Sequence, residues 1–114
     1  MRVLITGGFG YLGSILGKSL LGKSNEIILG SRKKHKIPNW LPLAKTAKLD
    51  YFDDCSLKTA CEGIDCVIHA AGVKAKKCEK DLIGSIEKYG QATKRLLVQS
   101  EKSGVKNFIY LSSI

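Results

Sequence analysis

Thr6-Gly7-Gly8-Phe9-Gly10-Tyr11-Leu12-Gly13 is the stretch of this 114-residue sequence that decides its fold. Its first residue also ends the run 2–6, a short apolar and β-branched segment typical of a buried parallel strand. Apolar residues at helical spacing come after it, up to about residue 23. A strand that passes through a glycine-rich turn into a helix brings free backbone amides and the positive end of the helix dipole together. The stretch therefore predicts a binding site for a pyrophosphate.

Three glycines have separate expected tasks in this loop. Gly7 permits a tight turn, Gly10 lets a phosphate approach the backbone, and Gly13 lets the helix pack closely on the strand. A glycine-rich turn can also be a simple chain reversal without a ligand. The position of these glycines between a strand and a helix favours nucleotide binding.

The rest of the sequence alternates between strand-like and helix-like segments. Strands are predicted at residues 26–29, 47–50, 66–70 and 107–111, and the segment 33–42 is predicted to be irregular because it contains two prolines. Asp53 or Asp54 can cap a helix with Leu57, Ala60 and Cys61 on one face. A longer helix is predicted over 85–102, with one stripe formed by Ile86, Tyr89, Thr93, Leu96, Leu97 and Ser100. Such alternation predicts an α/β fold with a parallel sheet covered by helices on both faces. Together with the glycine-rich loop it indicates a three-layer, Rossmann-type, doubly wound parallel sheet of about five strands in the order 3-2-1-4-5, the order typical of that fold.

Charge and cysteine content narrow the classes of partner. Nineteen Lys and Arg against ten Asp and Glu give a formal net charge of +9, which suits an anionic partner. The basic clusters at 32–36 and 74–80 lack interleaved aromatic residues, so we expect no specific nucleic-acid partner. The sequence has no run of about 18 apolar residues and no secretory pattern, which predicts a cytoplasmic protein without a membrane partner. Cys55, Cys61, Cys66 and Cys78 lack metal-ligand spacing, so we expect no metal and incidental thiols.

Taken together, these motifs resemble those of the extended branch of the short-chain dehydrogenase/reductase superfamily, the sugar-nucleotide epimerase/dehydratase-like enzymes. The loop from Thr6 to Gly13 has their TGxxGxxG form, residues 63–72 look like their fourth strand, and residues 106–113 look like their fifth. The resemblance implies that Asp50 lies against the adenine of the cofactor. It also implies that the serine ending the fifth strand, here Ser113, is catalytic.

The sequence departs from this family in two places. Tyr89 and Ala92 stand where the family usually has an asparagine and a glycine. The Tyr-x-x-x-Lys pair that supplies the family's acid/base lies a few dozen residues beyond the serine, outside these 114 residues. We therefore expect residues 1–114 to form an incomplete NAD(P)-binding Rossmann domain that is inactive alone.

Residues after the second strand bear on the choice of cofactor. An Asp or Glu there would bind the adenosine ribose of NAD, but Gly30 occupies the expected position. Arg32 and Lys33 follow, and a guanidinium can grip a 2′-phosphate through paired hydrogen bonds. The sequence thus predicts NADP over NAD, unless these cations form only a solvated loop.

Two polar residues at strand ends have alternative roles. His69 could act as an acid or base, but at the end of a parallel strand it is expected to be a packed, hydrogen-bonded residue lining the cofactor site. Ser113 could instead cap a turn. Tyr110 is expected to point into the core.

The expected cofactor-binding residues are Thr6, Gly7, Gly8, Phe9, Gly10, Tyr11, Leu12, Gly13, Arg32, Lys33, Asp50, Tyr51, His69, Ala70, Ala71 and Gly72.

Two functions are compatible with these features. The first is an NAD(P)-dependent epimerase/dehydratase or reductase acting on a nucleotide sugar or a related hydroxyl or carbonyl compound, with a possible homodimer in the full-length protein. The second is a non-catalytic NAD(P)-binding redox sensor or scaffold module.

Overall fold

The computed structural model describes residues 1–71 and 82–111 of the chain. Its elements follow in the order β1 (Arg2–Thr6), α1 (Tyr11–Leu21), β2 (Glu26–Ser31), β3 (Lys45–Lys48), α2 (Asp54–Cys61), β4 (Cys66–His69), α3 (Leu82–Lys102) and β5 (Asn107–Tyr110).

The five strands form one parallel sheet in the order β3-β2-β1-β4-β5, which confirms the predicted fold. Thr6, the last residue of β1, lies opposite Gly30 of β2 on one side and His69 of β4 on the other. From β1 the chain continues to β2 and β3 on one side of the sheet, and it later crosses to β4 and β5 on the other side. The direction of the strand order therefore reverses beside β1. In open α/β sheets, ligands bind at the carboxyl ends of the strands at such a reversal.

Each face of the sheet carries its own apolar core. Alternation along β1 sends Leu4 to one face and Val3 and Ile5 to the other. Helices α2 and α3 cover the Leu4 face, whereas α1 and the irregular connection between β2 and β3 cover the opposite face. The Leu4 face also holds Ile28, Leu49, Tyr51, Leu57, Cys61, Ile64, Val67, Ala92 and Leu96. This three-layer arrangement leaves the carboxyl edge of the sheet accessible between the layers.

Strand β3 lies two residues earlier than predicted, at Lys45–Lys48 instead of 47–50. The amide of Leu49 still donates to the Ser31 carbonyl at 2.8 Å, but the chain then leaves the sheet. The prediction was wrong because β3 is an edge strand, and edge strands can be polar. Apolar content therefore does not identify Lys45 and Thr46 as strand residues.

The predicted stripe on α3 is only partly correct. Leu96 and Ser100 are buried as expected, but Leu97 is 45% exposed because a one-residue step turns the helix by about 100°. Helix α3 also begins at Leu82, earlier than predicted, and α1 ends at Leu21, slightly before residue 23.

Tyr110 does not point into the core, contrary to the sequence prediction. Its side chain is 56% exposed, because β5 is an edge strand that pairs only with β4 in the described part of the chain. The irregular connection at 33–42 is confirmed. In the two described ranges, no helix is both long and apolar enough to cross a bilayer.

Asp53 caps α2, as the sequence suggested. Its Oδ1 accepts hydrogen bonds from the amides of Cys55 at 3.0 Å and Ser56 at 3.4 Å. Asp53→Ala should lower the free energy of unfolding by about 1 kcal/mol, measured by urea denaturation, because it removes this cap. Asp53→Asn keeps an acceptor and should retain most of the stability. Equal stability of the two variants would contradict the role assigned to the cap.

Candidate functional site

The glycine-rich loop begins with a turn that only glycine can form comfortably. Gly7 has a φ of +67°, and a Cβ built on it would lie 2.8 Å from the amide nitrogen of Ala71. The Gly7 carbonyl accepts a hydrogen bond from the Gly10 amide at 2.9 Å, which closes the turn. The chain thus reverses tightly against the end of β4, as the sequence predicted for Gly7.

Helix α1 starts directly from this turn with its first amides uncapped by side chains. Gly10 is the N-cap, and within the loop as described no side chain accepts from the helix N-terminus. The first-turn amides of an α-helix have no intrahelical acceptors, and α1 has no acidic residue in that turn. A Cβ on Gly13 would lie 2.9 Å from the Gly8 Cα, so this glycine permits the close packing of helix and loop. The loop can therefore receive an anionic group.

A buried chain of hydrogen bonds ties the loop to β4 and α3. Thr6 Oγ1 lies 2.6 Å from His69 Nδ1, and His69 Nε2 lies 3.0 Å from Thr93 Oγ1. The Ala71 amide donates to Thr6 Oγ1 at 3.3 Å. Since Thr6 Oγ1 accepts there, its own proton is available for His69 Nδ1, which fits a neutral imidazole protonated on Nε2.

Burial keeps His69 uncharged near neutral pH. The residue is 3% exposed, and desolvation lowers the pKa of its imidazole to about 4. Both ring nitrogens are engaged with threonine hydroxyls. His69 is therefore the packed, hydrogen-bonded residue expected from the sequence, and it holds three elements together.

A pocket of about 280 Å³ opens beside this network at the carboxyl edge of the sheet. Its walls combine apolar surface with polar groups, and they come from β3, β4, α3 and the segments that follow β2, β3 and β4. The lining residues are Arg32, Lys48, Leu49, Asp50, Tyr51, Phe52, His69, Ala71, Lys88, Tyr89 and Ala92. Burial raises the pKa of the Tyr51 phenol, while the positive charge of Arg32 acts in the opposite direction. A flat ligand with an anionic edge suits such a pocket.

Two arginine–aromatic contacts involve residues that line this pocket. The Arg32 guanidinium carbon is 6.0 Å from the centroid of the Tyr89 ring. The Arg95 guanidinium carbon is 5.7 Å from the centroid of Phe52, and Arg95 also pairs with Asp54 at 3.0 Å. Arg32 and Tyr89 thus connect the end of β2 with helix α3.

The structure brings together most of the residues named from the sequence. Arg32, Asp50, Tyr51, His69 and Ala71 line the pocket, and the glycine loop lies beside it. Phe9 stacks on His35, with ring centroids 4.1 Å apart, and so joins the loop to the basic segment.

Outside the glycine-rich loop, two expected residues of the described ranges, Lys33 and Ala70, do not line the pocket. Lys33 is exposed, and its amide donates to Ser31 Oγ at 3.3 Å; it is absent from the lining that the described residues provide. Gly72 and Ser113 lie outside the described residues.

Several pocket residues were not predicted from the sequence, chiefly Phe52 and the α3 residues Lys88 and Tyr89. Tyr89 was noted as part of the α3 stripe and as a departure from a family pattern, but not as a pocket residue. A signal was available, because Tyr89 and Thr93 are one helical turn apart and share a face. The sequence alone does not show that this face meets the second and third strands.

The cysteines and acids do not form a metal site in the described ranges, where no group of three or more His, Cys, Asp or Glu could hold a metal ion. Cys61 and Cys66 are buried and Cys55 is exposed, while Cys78 lies outside these ranges. Burial raises the pKa of the Cys61 thiol to about 11, so it is unreactive at neutral pH.

The amino-acid sequence matches a known protein family and individual members of known function. The model of the NAD dependent epimerase/dehydratase family matches residues 3–114. A 3-beta-hydroxysteroid dehydrogenase from Mycolicibacterium neoaurum is 31% identical over 126 residues, which cover 98% of this chain and 32% of that protein.

Solved structures agree with the fold. UDP-glucose 4-epimerase from Stenotrophomonas maltophila, with bound NAD and formylated UDP-arabinopyranose, superposes with a TM-score of 0.85 at 21% identity, over 99% of this chain and 37% of that one. UDP-glucose 4-epimerase from Bifidobacterium longum, in complex with NAD+ and UDP, gives a TM-score of 0.82 at 27% identity over the same shares. The chain therefore spans about a third of the length of each of these three proteins.

The buried imidazole predicts a specific pH dependence of stability. Because the folded pKa of His69 is about 4 and the unfolded value about 6.5, the unfolded state binds one more proton between these values. Stability should therefore fall as pH decreases from 6.5 toward 4, by at most about 1.4 kcal/mol per pH unit from this group. Urea denaturation of the wild type and of His69→Gln over this window measures the effect. The free energy of unfolding of the variant should change less steeply with pH than that of the wild type. Identical slopes would contradict the assignment of this pH dependence to His69.

Proposed function

Because the chain belongs to the NAD dependent epimerase/dehydratase family, we propose that residues 1–114 bind the dinucleotide cofactor of an epimerase, dehydratase or reductase. The observation that carries this proposal is the uncapped N-terminus of α1, reached through the Gly7 turn at the carboxyl edge of the sheet. Its amides and dipole suit the two negative charges of a pyrophosphate. Gly10 and Gly13 keep side chains away from this position.

The adenosine end of the cofactor would occupy the neighbouring pocket. Leu49, Tyr51 and Ala92 supply apolar surface for a flat base, and Asp50 supplies acceptors at the rim. The Asp50 backbone is itself fixed, because its amide donates to Ser56 Oγ at 3.0 Å and its Oδ1 accepts from the Phe52 amide at 3.0 Å. This agrees with the role that the family resemblance implies for Asp50.

Arg32 favours NADP as the preferred form of the cofactor. Gly30 supplies no carboxylate at the position where NAD-specific proteins use one, and a side chain there would have to displace the end of Leu49, whose Cδ1 lies 2.8 Å from a Cβ built on Gly30. Arg32 follows two residues later and lines the pocket. A guanidinium there can form paired hydrogen bonds with a 2′-phosphate.

The substrate that we propose is a nucleotide sugar or a related hydroxyl or carbonyl compound. The Bifidobacterium longum structure contains UDP together with NAD+, which supports the nucleotide-sugar class. When bound, the nicotinamide supplies hydride transfer at the substrate carbon. Ser113 would orient the substrate oxygen, as the family resemblance implies. The 114 residues contain no Tyr-x-x-x-Lys pair, so we propose that this chain alone binds cofactor without turnover.

Gly10→Asp tests the phosphate site without weakening the fold. The Gly10 φ of −81° suits any residue, a Cβ there meets only the Gly7 carbonyl oxygen at 3.2 Å, and Asp is a favoured N-cap. A carboxylate at this position should repel the pyrophosphate and weaken binding of both NAD and NADP by at least about tenfold. Isothermal titration calorimetry measures the loss, and thermal denaturation should show an unchanged or higher melting temperature.

Gly10→Asn is the matched control for that variant, because it adds the same shape without charge. It should lose less affinity than the Asp variant. Unchanged cofactor affinity in Gly10→Asp would sink the proposed phosphate site.

Arg32→Glu tests the preference for NADP. The variant should bind NADP about ten- to hundredfold more weakly, the range for lost charge-assisted hydrogen bonds, and should bind NAD with little change. Lys34→Glu makes the same change of charge two residues away, and its effect should be much smaller. Equal affinity of the wild type for NAD and NADP, or no loss of NADP affinity in Arg32→Glu, would contradict the preference.

A further inference from the structure

Tyr89 is a pocket residue to which the proposed cofactor site assigns no role. It projects from α3 toward Arg32, across the opening of the 280 Å³ pocket. We propose that Tyr89 is a positioning residue that sets the choice between NADP and NAD by holding the Arg32 guanidinium at the mouth of the pocket. This inference rests on the proposed function, in which the pocket receives the adenosine end of the cofactor.

The orientation of Tyr89 is fixed by the buried face of α3. Thr93, one turn later, lies 3.0 Å from His69 Nε2, and Ala92 and Leu96 are buried against the sheet. These contacts set the rotation of the helix about its axis. Tyr89 shares the face of Thr93 and therefore points toward the carboxyl edge of the sheet.

Arg32, in contrast, has no charged partner among the described residues. It is exposed and begins the irregular connection that follows β2. In the described ranges, the ion pairs of the chain involve Arg2, Lys45 and Arg95, and no carboxylate pairs with Arg32. Within the described ranges, the contact with the Tyr89 ring is thus the interaction that limits where the guanidinium can lie.

The type of contact matters for ligand binding. A guanidinium beside an aromatic ring is attracted through the ring face, which does not use its N–H groups. Those N–H groups stay available for a phosphate. A carboxylate partner would orient Arg32 equally well but would occupy the same donors, so an aromatic ring is the partner suited to an anion-binding arginine.

The second arginine–aromatic pair at the pocket shows the contrast. Arg95 Nη2 donates to Asp54 Oδ1 at 3.0 Å and to the Phe52 carbonyl at 3.4 Å, so this nitrogen is already engaged within the protein, whereas Arg95 Nε has no partner among the described residues. Phe52 also lines the pocket. Loss of the Phe52 ring should affect NAD and NADP alike, and this makes Phe52→Leu a matched control.

The test is calorimetric titration of NADP and NAD into the 114-residue chain carrying Tyr89→Leu, Tyr89→Phe or Phe52→Leu. Tyr89→Leu should lower the ratio of NADP to NAD affinity by about 2- to 30-fold, the range of a cation–π interaction. Tyr89→Phe keeps the ring and should keep the ratio. Phe52→Leu should leave the ratio unchanged, and thermal denaturation of each variant shows whether it is folded.

A double variant separates positioning from packing. In an Arg32→Met background, Tyr89→Leu should have no further effect on the ratio, because no guanidinium remains to be positioned. An unchanged ratio in folded Tyr89→Leu, or an equal further loss in the Arg32→Met background, would overturn the role of Tyr89. If the wild type binds neither nucleotide, the proposed function itself fails; if it binds both and only the Tyr89 effect is absent, the proposed function stands without this inference.

Discussion

The close approach of the Gly7 and Ala71 backbones at the carboxyl ends of β1 and β4 determines where the other parts of the site lie. The Ala71 amide nitrogen would be 2.8 Å from a Cβ on Gly7, so the turn can form only around glycine with its φ of +67°. This turn directs α1 away from the sheet edge with its first amides uncapped. The anion site is therefore a consequence of backbone geometry, and the side chains of the loop contribute mainly by being small.

The Thr6–His69–Thr93 hydrogen bonds extend that constraint from the loop to the pocket. They connect β1, β4 and α3 through a neutral imidazole that is almost completely buried. A polar network inside a core is favourable only when its members are all partnered, and both ring nitrogens of His69 have partners. Because the same contacts orient α3, they also place Tyr89 opposite Arg32. The glycine-rich loop and the pocket are thus parts of one connected structure.

The sequence predicted the parts of this structure that depend on local patterns. The spacing of glycines between a strand and a helix predicted the loop, and the alternation of strand-like and helix-like segments predicted the parallel sheet. The strand order was predicted from the Rossmann type of fold that the loop indicates. The prediction was wrong for β3, Leu97 and Tyr110, where edge position or helical rotation decides exposure. Phe52 and Tyr89 were missed because their roles come from the packing of α3 and the β3–α2 segment around one pocket. Ser113 and Gly72 stay predictions, since they lie outside the described residues.

The central claim is that the backbone amides at the start of α1 bind the pyrophosphate of a dinucleotide. Titration of NADP into ¹⁵N-labelled chain, followed by amide chemical shifts, tests it most directly. The account predicts that the largest shifts occur at the amides of Tyr11, Leu12 and Gly13, with further shifts at Tyr51 and Tyr89 around the pocket. Saturable binding that leaves the amides of α1 unchanged and shifts only residues elsewhere, such as Lys45 and Thr46, would contradict it.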